Sequence, residues 1–252
     1  MRPERFAAVL IALSSTIGMA QAPRQISGGQ RQFSMPQIRS QCIEFTDVKR
    51  GNGPLDFRDC QVSDFGEFGA VDDQTYYYAL YCLIPNYATD NGKCGDDSFS
   101  ARFHRHRGLA VFTEDRSSGG LQLLFERVIS DIGTRYYEKP EIVHNTNGTL
   151  LYLPIAVDGT GHGNESQYYI REANKWEPIE SEVWLNDLSA RLPPGLQMWK
   201  GAWPNLNTMQ AQIVLYRDKD ANCCGTGGTA RVRLAIRSRK FVIDSVDIEP
   251  RQ

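Results

Sequence analysis

The densest chemistry in this chain is the run Arg102-Phe103-His104-Arg105-His106-Arg107. His104 and His106 are two residues apart, so on an extended strand both imidazoles leave the same face. Such a pair can chelate zinc or copper once a third ligand arrives. His144, His162 or a carboxylate could supply it. The flanking Arg102, Arg105 and Arg107 oppose a cation, so no metal site is expected here. The same guanidiniums suit a phosphate or carboxylate anion, and without a ligand they form a solvated basic edge.

A second candidate is Asp158-Gly-Thr-Gly-His162-Gly-Asn-Glu-Ser166, which packs Gly, His, Asn and Glu into one loop. Loops of that kind carry binding groups on many scaffolds. His104, Arg105, His106, Asp158 and His162 are therefore the candidate binding residues. No nucleophile–base pairing can be read from the sequence, so no catalytic residue is assigned and no cofactor is expected. A Gly-x-Ser-x-Gly elbow, a His-Glu-x-x-His motif, a P-loop and a Gly-x-Gly-x-x-Gly turn are all missing. Asp218-x-Asp220-x-Asn222 resembles the start of a calcium loop. Cys223 stands where its glycine belongs and Thr229 where its glutamate belongs, which rejects that reading. A turn in which Asp and Asn accept backbone N–H bonds is the simpler account. Trp176, Trp184, Trp199 and Trp203 lie close in sequence; they are either core residues or a row of indoles able to stack on sugar rings.

The six cysteines, Cys42, Cys60, Cys82, Cys94, Cys223 and Cys224, are an even set in a chain whose start reads as an export signal. Arg2 and Arg5 make a basic start, and Phe6 to Met19 is apolar but diluted by Ser14, Ser15 and Thr16. That stretch is too short and polar for a membrane span, and small residues follow it. Cleavage after Ala20 is expected, because Pro23 disfavours a cut after Ala22. Local closure costs least entropy, which points to Cys42–Cys60 and Cys82–Cys94. Cys223–Cys224 remains as an adjacent pair, in a tight ring that is easily reduced.

The elements that would position these residues are mostly strands. Residues 21–40 read as a flexible arm and 41–252 as one β-rich unit, with a soft boundary near 115. Residues 43–48 form a short strand and residues 50–60 are turn-rich. Gln74 to Ile84 is apolar on both faces, which predicts a central strand. Further strands are expected at 108–113, 121–129, 167–171, 176–179, 196–199, 209–216, 229–236 and 241–248. A hairpin is expected around Asn147-Gly148, with arms at 141–144 and 149–157. The one helix expected spans 181–191, capped by Ser181 and ended by Pro193-Pro194-Gly195. Arginines on the final hairpin face Asp244, Asp247 and Glu249 on its return strand. The pattern predicts a mainly β antiparallel sandwich, barrel or propeller-like meander.

With 28 basic and 30 acidic residues and a pI near 6.1, the chain is no general nucleic-acid binder. A single long apolar run excludes a multi-span membrane protein and leaves no span after cleavage.

The stretch Asp220-Ala221-Asn222-Cys223-Cys224-Gly225-Thr226-Gly227-Gly228 resembles an element of exported bacterial proteins of unknown function, an Asn-Cys-Cys-Pro-Thr/Ser-Gly-Gly run before a terminal β-hairpin. Leu215-Tyr216-Arg217, Leu192-Pro193-Pro194-Gly195 and Trp199-Lys200-Gly201 are similar too, so the likeness covers residues 175–250. It implies a periplasmic address and a β-rich fold, and carries no activity with it. Gly225 stands where that element has proline, which implies a looser turn.

The sequence thus describes a periplasmic or secreted, disulfide-stabilised module. The expectation is a non-enzymatic binding or scaffold module, with an envelope glycan, peptide or protein as the candidate partner. The alternative is an envelope hydrolase or metal-dependent enzyme using His104, His106 and His162.

Overall fold

The computed structural model describes residues 32–40, 42, 57–86, 94, 105–115, 119–129, 135–157, 164–249 and 251. The expected export signal, the strand expected at 43–48, and the binding candidates His104, Asp158 and His162 lie outside them. Of the described residues 61% are strand and 9% helix, so the chain is mainly β.

The first sheet has the order β1-β5-β4-β3-β2 and curls into a half-barrel. Its strands are β1 (Gln32–Phe33), β2 (Phe57–Val71), β3 (Gln74–Pro85), β4 (His106–Asp115) and β5 (Gly120–Ile129). Gln74–Ile84 is central as expected, lying between β2 and β4 with both faces covered. Ala79, Tyr81 and Leu83 join Phe57, Phe112, Leu121 and Leu123 in one apolar layer. Tyr78 joins Leu109, Val111 and Phe125 in another. A bulge in the β4–β5 ladder at Val111/Phe112 moves the outward side chains of β5 from the first layer to the second.

Residues 32–40 are not a flexible arm. Phe33 and Ile38 are fully or nearly buried, and Phe33 meets Phe112 edge-on at 6.0 Å. They are placed by β1 and a short helix, α1 (Met35–Ser40). The backbone N–H of Ser34 donates to Gln37 Oε1 at 2.8 Å, and that of Gln37 donates to Ser34 Oγ at 3.4 Å. This is a capping box, and Ser-x-x-Gln is its mark in the sequence.

The second apolar layer is shared with a four-stranded sheet ordered β11-β10-β8-β7. A two-stranded ribbon accompanies it, β6 (Arg135–Tyr137) paired with β9 (Ile155–Val157). The four strands are β7 (Glu141–Asn145), β8 (Gly148–Leu153), β10 (Gln167–Glu172) and β11 (Lys175–Pro178). Leu151, Leu153 and Tyr169 face the half-barrel, where Tyr169 stacks on Phe125 at 5.7 Å. Leu150, Tyr168 and Ile170 face the other way. This sheet is therefore a filling layer, which is why Leu150-Leu151 and Tyr168-Tyr169-Ile170 are unbroken apolar runs. The β7–β8 turn is Thr146–Asn147, one residue before the expected centre, because Asn145 Oδ1 accepts the Asn147 N–H at 2.7 Å.

The third layer is α2 (Val183–Arg191) with the sheet β12 (Gln210–Leu215), β13 (Gly228–Arg237) and β14 (Lys240–Glu249). Trp184 and Leu188 of α2 are buried with Ile213, Val232, Leu234 and Phe241. Ser181 does not cap α2: Glu182 is the capping residue and makes no side-chain cap bond. Pro194 and Gly195 (φ +80°) end the segment in a turn closed by Leu196 N–H on Pro193 O. The final hairpin turns on Ser238 and Arg239, both at positive φ, as a two-residue turn requires. Arg231–Glu249 at 3.0 Å and Arg237–Asp244 at 2.5 Å neutralise its exposed charge as expected. The segment 196–199 is not a strand but a single bridge, Gln197 to Tyr216.

Strand β2 was not legible as a strand. Its ladder with β3 shifts register between Phe57/Asp59, Val62/Asp64 and Glu67/Gly69, so no simple alternation survives.

Tyr81 and Gly108 face each other across the β3–β4 ladder. The Tyr81 ring lies over Gly108 and its hydroxyl donates to Glu126. A Cβ on Gly108 would fall 2.2 Å from the ring. Gly108→Ala therefore lowers stability by about 1–3 kcal/mol through overpacking. Denaturant midpoints check this; an unchanged midpoint would contradict the packing described.

Candidate functional site

The described members of the His/Arg cluster are not on a solvated edge. Arg105 and His106 are both buried, at 3% and 4% exposure, with His106 paired to Leu83 at the start of β4. Burial at the start of β4 replaces the expected basic surface. Arg107 lies over the Tyr136 ring at 5.3 Å. His144, the other candidate ligand described, sits on β7 with Nδ1 3.0 Å from Thr149 Oγ1. Among the described residues no group of His, Cys, Asp and Glu could hold a metal ion.

Ser166, from the Asp158–Ser166 loop, is buried beside two tyrosines. Its Oγ accepts the Ile155 N–H at 3.1 Å and lies 3.4 Å from the Tyr152 hydroxyl. Tyr152 stacks on Tyr168 at 5.0 Å. Burial pushes the Tyr168 and Tyr169 hydroxyls up, and that of Tyr137 to about 12. A phenol held neutral in this way is a hydrogen-bonding group, not a base. This arrangement locks β8 to β10 and activates no nucleophile.

The four tryptophans divide. Trp184 is core and Trp176 is half-buried, edge-on to Tyr76 at 5.8 Å and under Arg171 at 5.3 Å. Trp199 and Trp203 are each 39% exposed.

Trp199 belongs to the best-organised surface feature. Its indole stacks on Tyr216 at 4.9 Å, 12° from parallel. The two rings are brought together by the Gln197–Tyr216 bridge, whose N–H and C=O groups exchange both bonds at 2.9 Å. Beside the stack, Gln197 Nε2 donates to Asp218 Oδ1 at 3.4 Å. The Tyr216 hydroxyl donates to Asn222 O at 3.4 Å, reaching into the 217–227 loop.

That loop is held from within. Asp220 accepts the N–H groups of Arg217 and Thr226, each at 2.7 Å, and the Thr226 hydroxyl at 2.6 Å. These three bonds hold its carboxyl below the usual range. The sequence reading of a carboxylate capping backbone N–H groups is thus correct at Asp220. At Gly225 the loop leaves no room for a side chain. A Cβ there would lie 2.6 Å from Leu215 O, and one on Gly227 would lie 2.9 Å from the same oxygen. Glycine is what lets the loop lie against β12. Cys223 and Cys224 stand exposed at the tip, bridged to each other.

A separate open cleft of about 450 Å³ lies between β2 and β7, lined by Phe68, Lys139, Glu141, Ile142 and Asn207 among others. Lys139 is 5.7 Å from the Tyr78 ring, whose hydroxyl donates to Asp64 at 2.6 Å.

Comparison with protein-family models, curated proteins and solved structures gives no match.

The Asp220 bonds have a pH signature. A carboxyl with a lowered folded value contributes stability above its ordinary 3.8 and loses it as pH falls through the folded value. The Arg217 and Thr226 amides should keep their hydrogen-exchange protection down to below pH 3.8 and then lose it. In Asp220→Asn protection should be weak and flat with pH. Protection in the wild type that ignores acid would contradict the capping role.

Proposed function

We propose that this chain is exported and works in the periplasm or outside the cell as a non-enzymatic binding module, with the Trp199 ledge presented to a glycan. Export is supported by the basic, apolar, small-residue pattern of residues 1–20 and by six cysteines joined in three bridges.

The observation that carries the binding reading is the Trp199–Tyr216 stack. Trp199 is 39% exposed, so part of its apolar surface is open to a ligand. Stacking on Tyr216, itself hydrogen-bonded into the capped loop, removes the freedom such a side chain would otherwise lose on binding. An apolar plane next to a carboxamide and a carboxylate, Gln197 and Asp218, matches the chemistry of a sugar ring, which has one C–H face and a rim of hydroxyls. A buried peptide-binding groove would need a deeper apolar trough than this ledge offers.

The test is a titration of tryptophan emission with soluble N-acetylglucosamine and glucose oligomers. The wild type should give a saturable change with one of them, and Trp199→Ala should weaken it roughly tenfold or more, equivalent to the loss of about one stacking contact. Trp199→Phe should retain part of the affinity. No saturable response, or equal affinity in Trp199→Ala, would end the glycan reading.

A further inference from the structure

The three bridges are not equivalent. Cys42–Cys60 spans 18 residues and Cys82–Cys94 spans 12. Cross-links of that span restrict the unfolded chain, and their stabilisation grows with the segment enclosed. Cys223–Cys224 spans a single peptide, with Cα atoms 3.8 Å apart. It encloses no segment, so it adds almost nothing to global stability by that route. A purely structural account leaves this third bridge without a purpose.

Exposure separates them in the same way. Cys42, Cys60 and Cys82 are buried at 0%, 7% and 4% and Cys94 is partly buried, while Cys223 and Cys224 are both exposed. A thiolate must approach a disulfide sulfur to open it, so access sets which bridge exchanges. The Cα spacing of the adjacent pair is also below the roughly 4.4–6.8 Å of relaxed bridges, and bridges outside that range are easier to reduce.

The surrounding loop does not need the bridge to keep its shape. Asp220 ties Arg217 to Thr226, the Cys224 N–H donates to Ala221 O at 2.9 Å, and the Gly227 N–H donates to Leu215 O at 2.9 Å. The sulfurs are therefore carried on a loop that has hydrogen bonds of its own besides the bridge.

We infer that Cys223–Cys224 is a surface thiol–disulfide exchange site that accepts two electrons from a dithiol reductant, while the other two bridges are structural. A reductant thiolate attacks Cys224 Sγ, the Cys223–Cys224 bond breaks, and Cys223 Sγ leaves and takes up a proton. The second reductant thiol then attacks the mixed disulfide and releases Cys224 as a thiol. The protein gains two thiols and the reductant ends as its own disulfide. Exchange here does not require Trp199 to hold a sugar, so a chain that fails the glycan titration leaves this inference standing.

The full oxidised chain is titrated with dithiothreitol, quenched with N-ethylmaleimide, and the labelled peptides are read by mass spectrometry. Cys223 and Cys224 should be labelled at a reductant concentration roughly tenfold or more below that which opens either other bridge, with the far-ultraviolet dichroism unchanged. Simultaneous opening of all three, the reverse order, or labelling only with loss of dichroism would overturn the inference. A Cys223→Ser, Cys224→Ser double variant should fold with a thermal midpoint within about 3 °C of the wild type, since no enclosed segment is released. Failure of that variant to fold would show the bridge to be structural and would equally overturn it.

Discussion

Neighbouring rungs of the β2–β3 ladder carry two covalent bonds to the rest of the chain, and the half-barrel depends on them. Cys60 pairs with Leu83, and Cys82 pairs with Gln61. Successive side chains on a strand point to opposite faces, so the two sulfurs leave the sheet on opposite sides. Cys60 holds Cys42 among Phe33, Ile38 and Phe57 in the first apolar layer. Cys82 and Ile84 form a small separate cluster with Cys94, whose N–H donates to Gln61 Oε1 at 3.1 Å. Each bridge contributes about 3 kcal/mol in the chain-entropy account, a large share of the margin by which a domain stays folded. The first bridge fastens β2 directly and the second is anchored on β3 with Cys94 hydrogen-bonded to Gln61 of β2, the edge strand whose register shifts make its pairing the least self-specifying in the sheet.

Outward from that point the architecture follows from two-faced strands. The half-barrel, the filling sheet and the C-terminal sheet stack as three layers, each apolar where it meets the next. Antiparallel strands adjacent in sequence pair with each other, so most closures are short and cheap in entropy. The C-terminal layer ends in a corner where the Pro194-Gly195 turn, the Gln197–Tyr216 bridge and the Asp220-capped loop meet. A ring stack and an exposed disulfide sit there on a rigid base, whereas the two bridges at the half-barrel are mostly buried.

Strands with two apolar faces or clean turn chemistry were legible in the sequence. Gln74–Ile84, the strand pair at 167–171 and 176–179, the final hairpin and the helix around Trp184 and Leu188 all follow from periodicity and turn residues. Strand β2 was hidden because three register shifts scramble its alternation, although Gly66 and Gly69 hint at bulges. Helix α1 was hidden by its brevity, its one mark being Ser34-x-x-Gln37. At the site, Asp220 was legible as a cap because its role is local. The depth of Arg105 and His106 was not, because burial of a charged segment is decided by strands far away in sequence. The tightness at Gly225 was not legible either, since it depends on how closely the loop approaches Leu215 O. Trp199 could be told from Trp184 only once the layers were known.

The fold and the exposed exchange site both depend on sulfur oxidised in a defined local pattern. Native material, alkylated without reduction, digested and mapped by mass spectrometry, tests it most directly. The expected result is Cys42 joined to Cys60, Cys82 to Cys94 and Cys223 to Cys224. Six alkylated free thiols, or bridges crossing between the two ends of the chain, would contradict it.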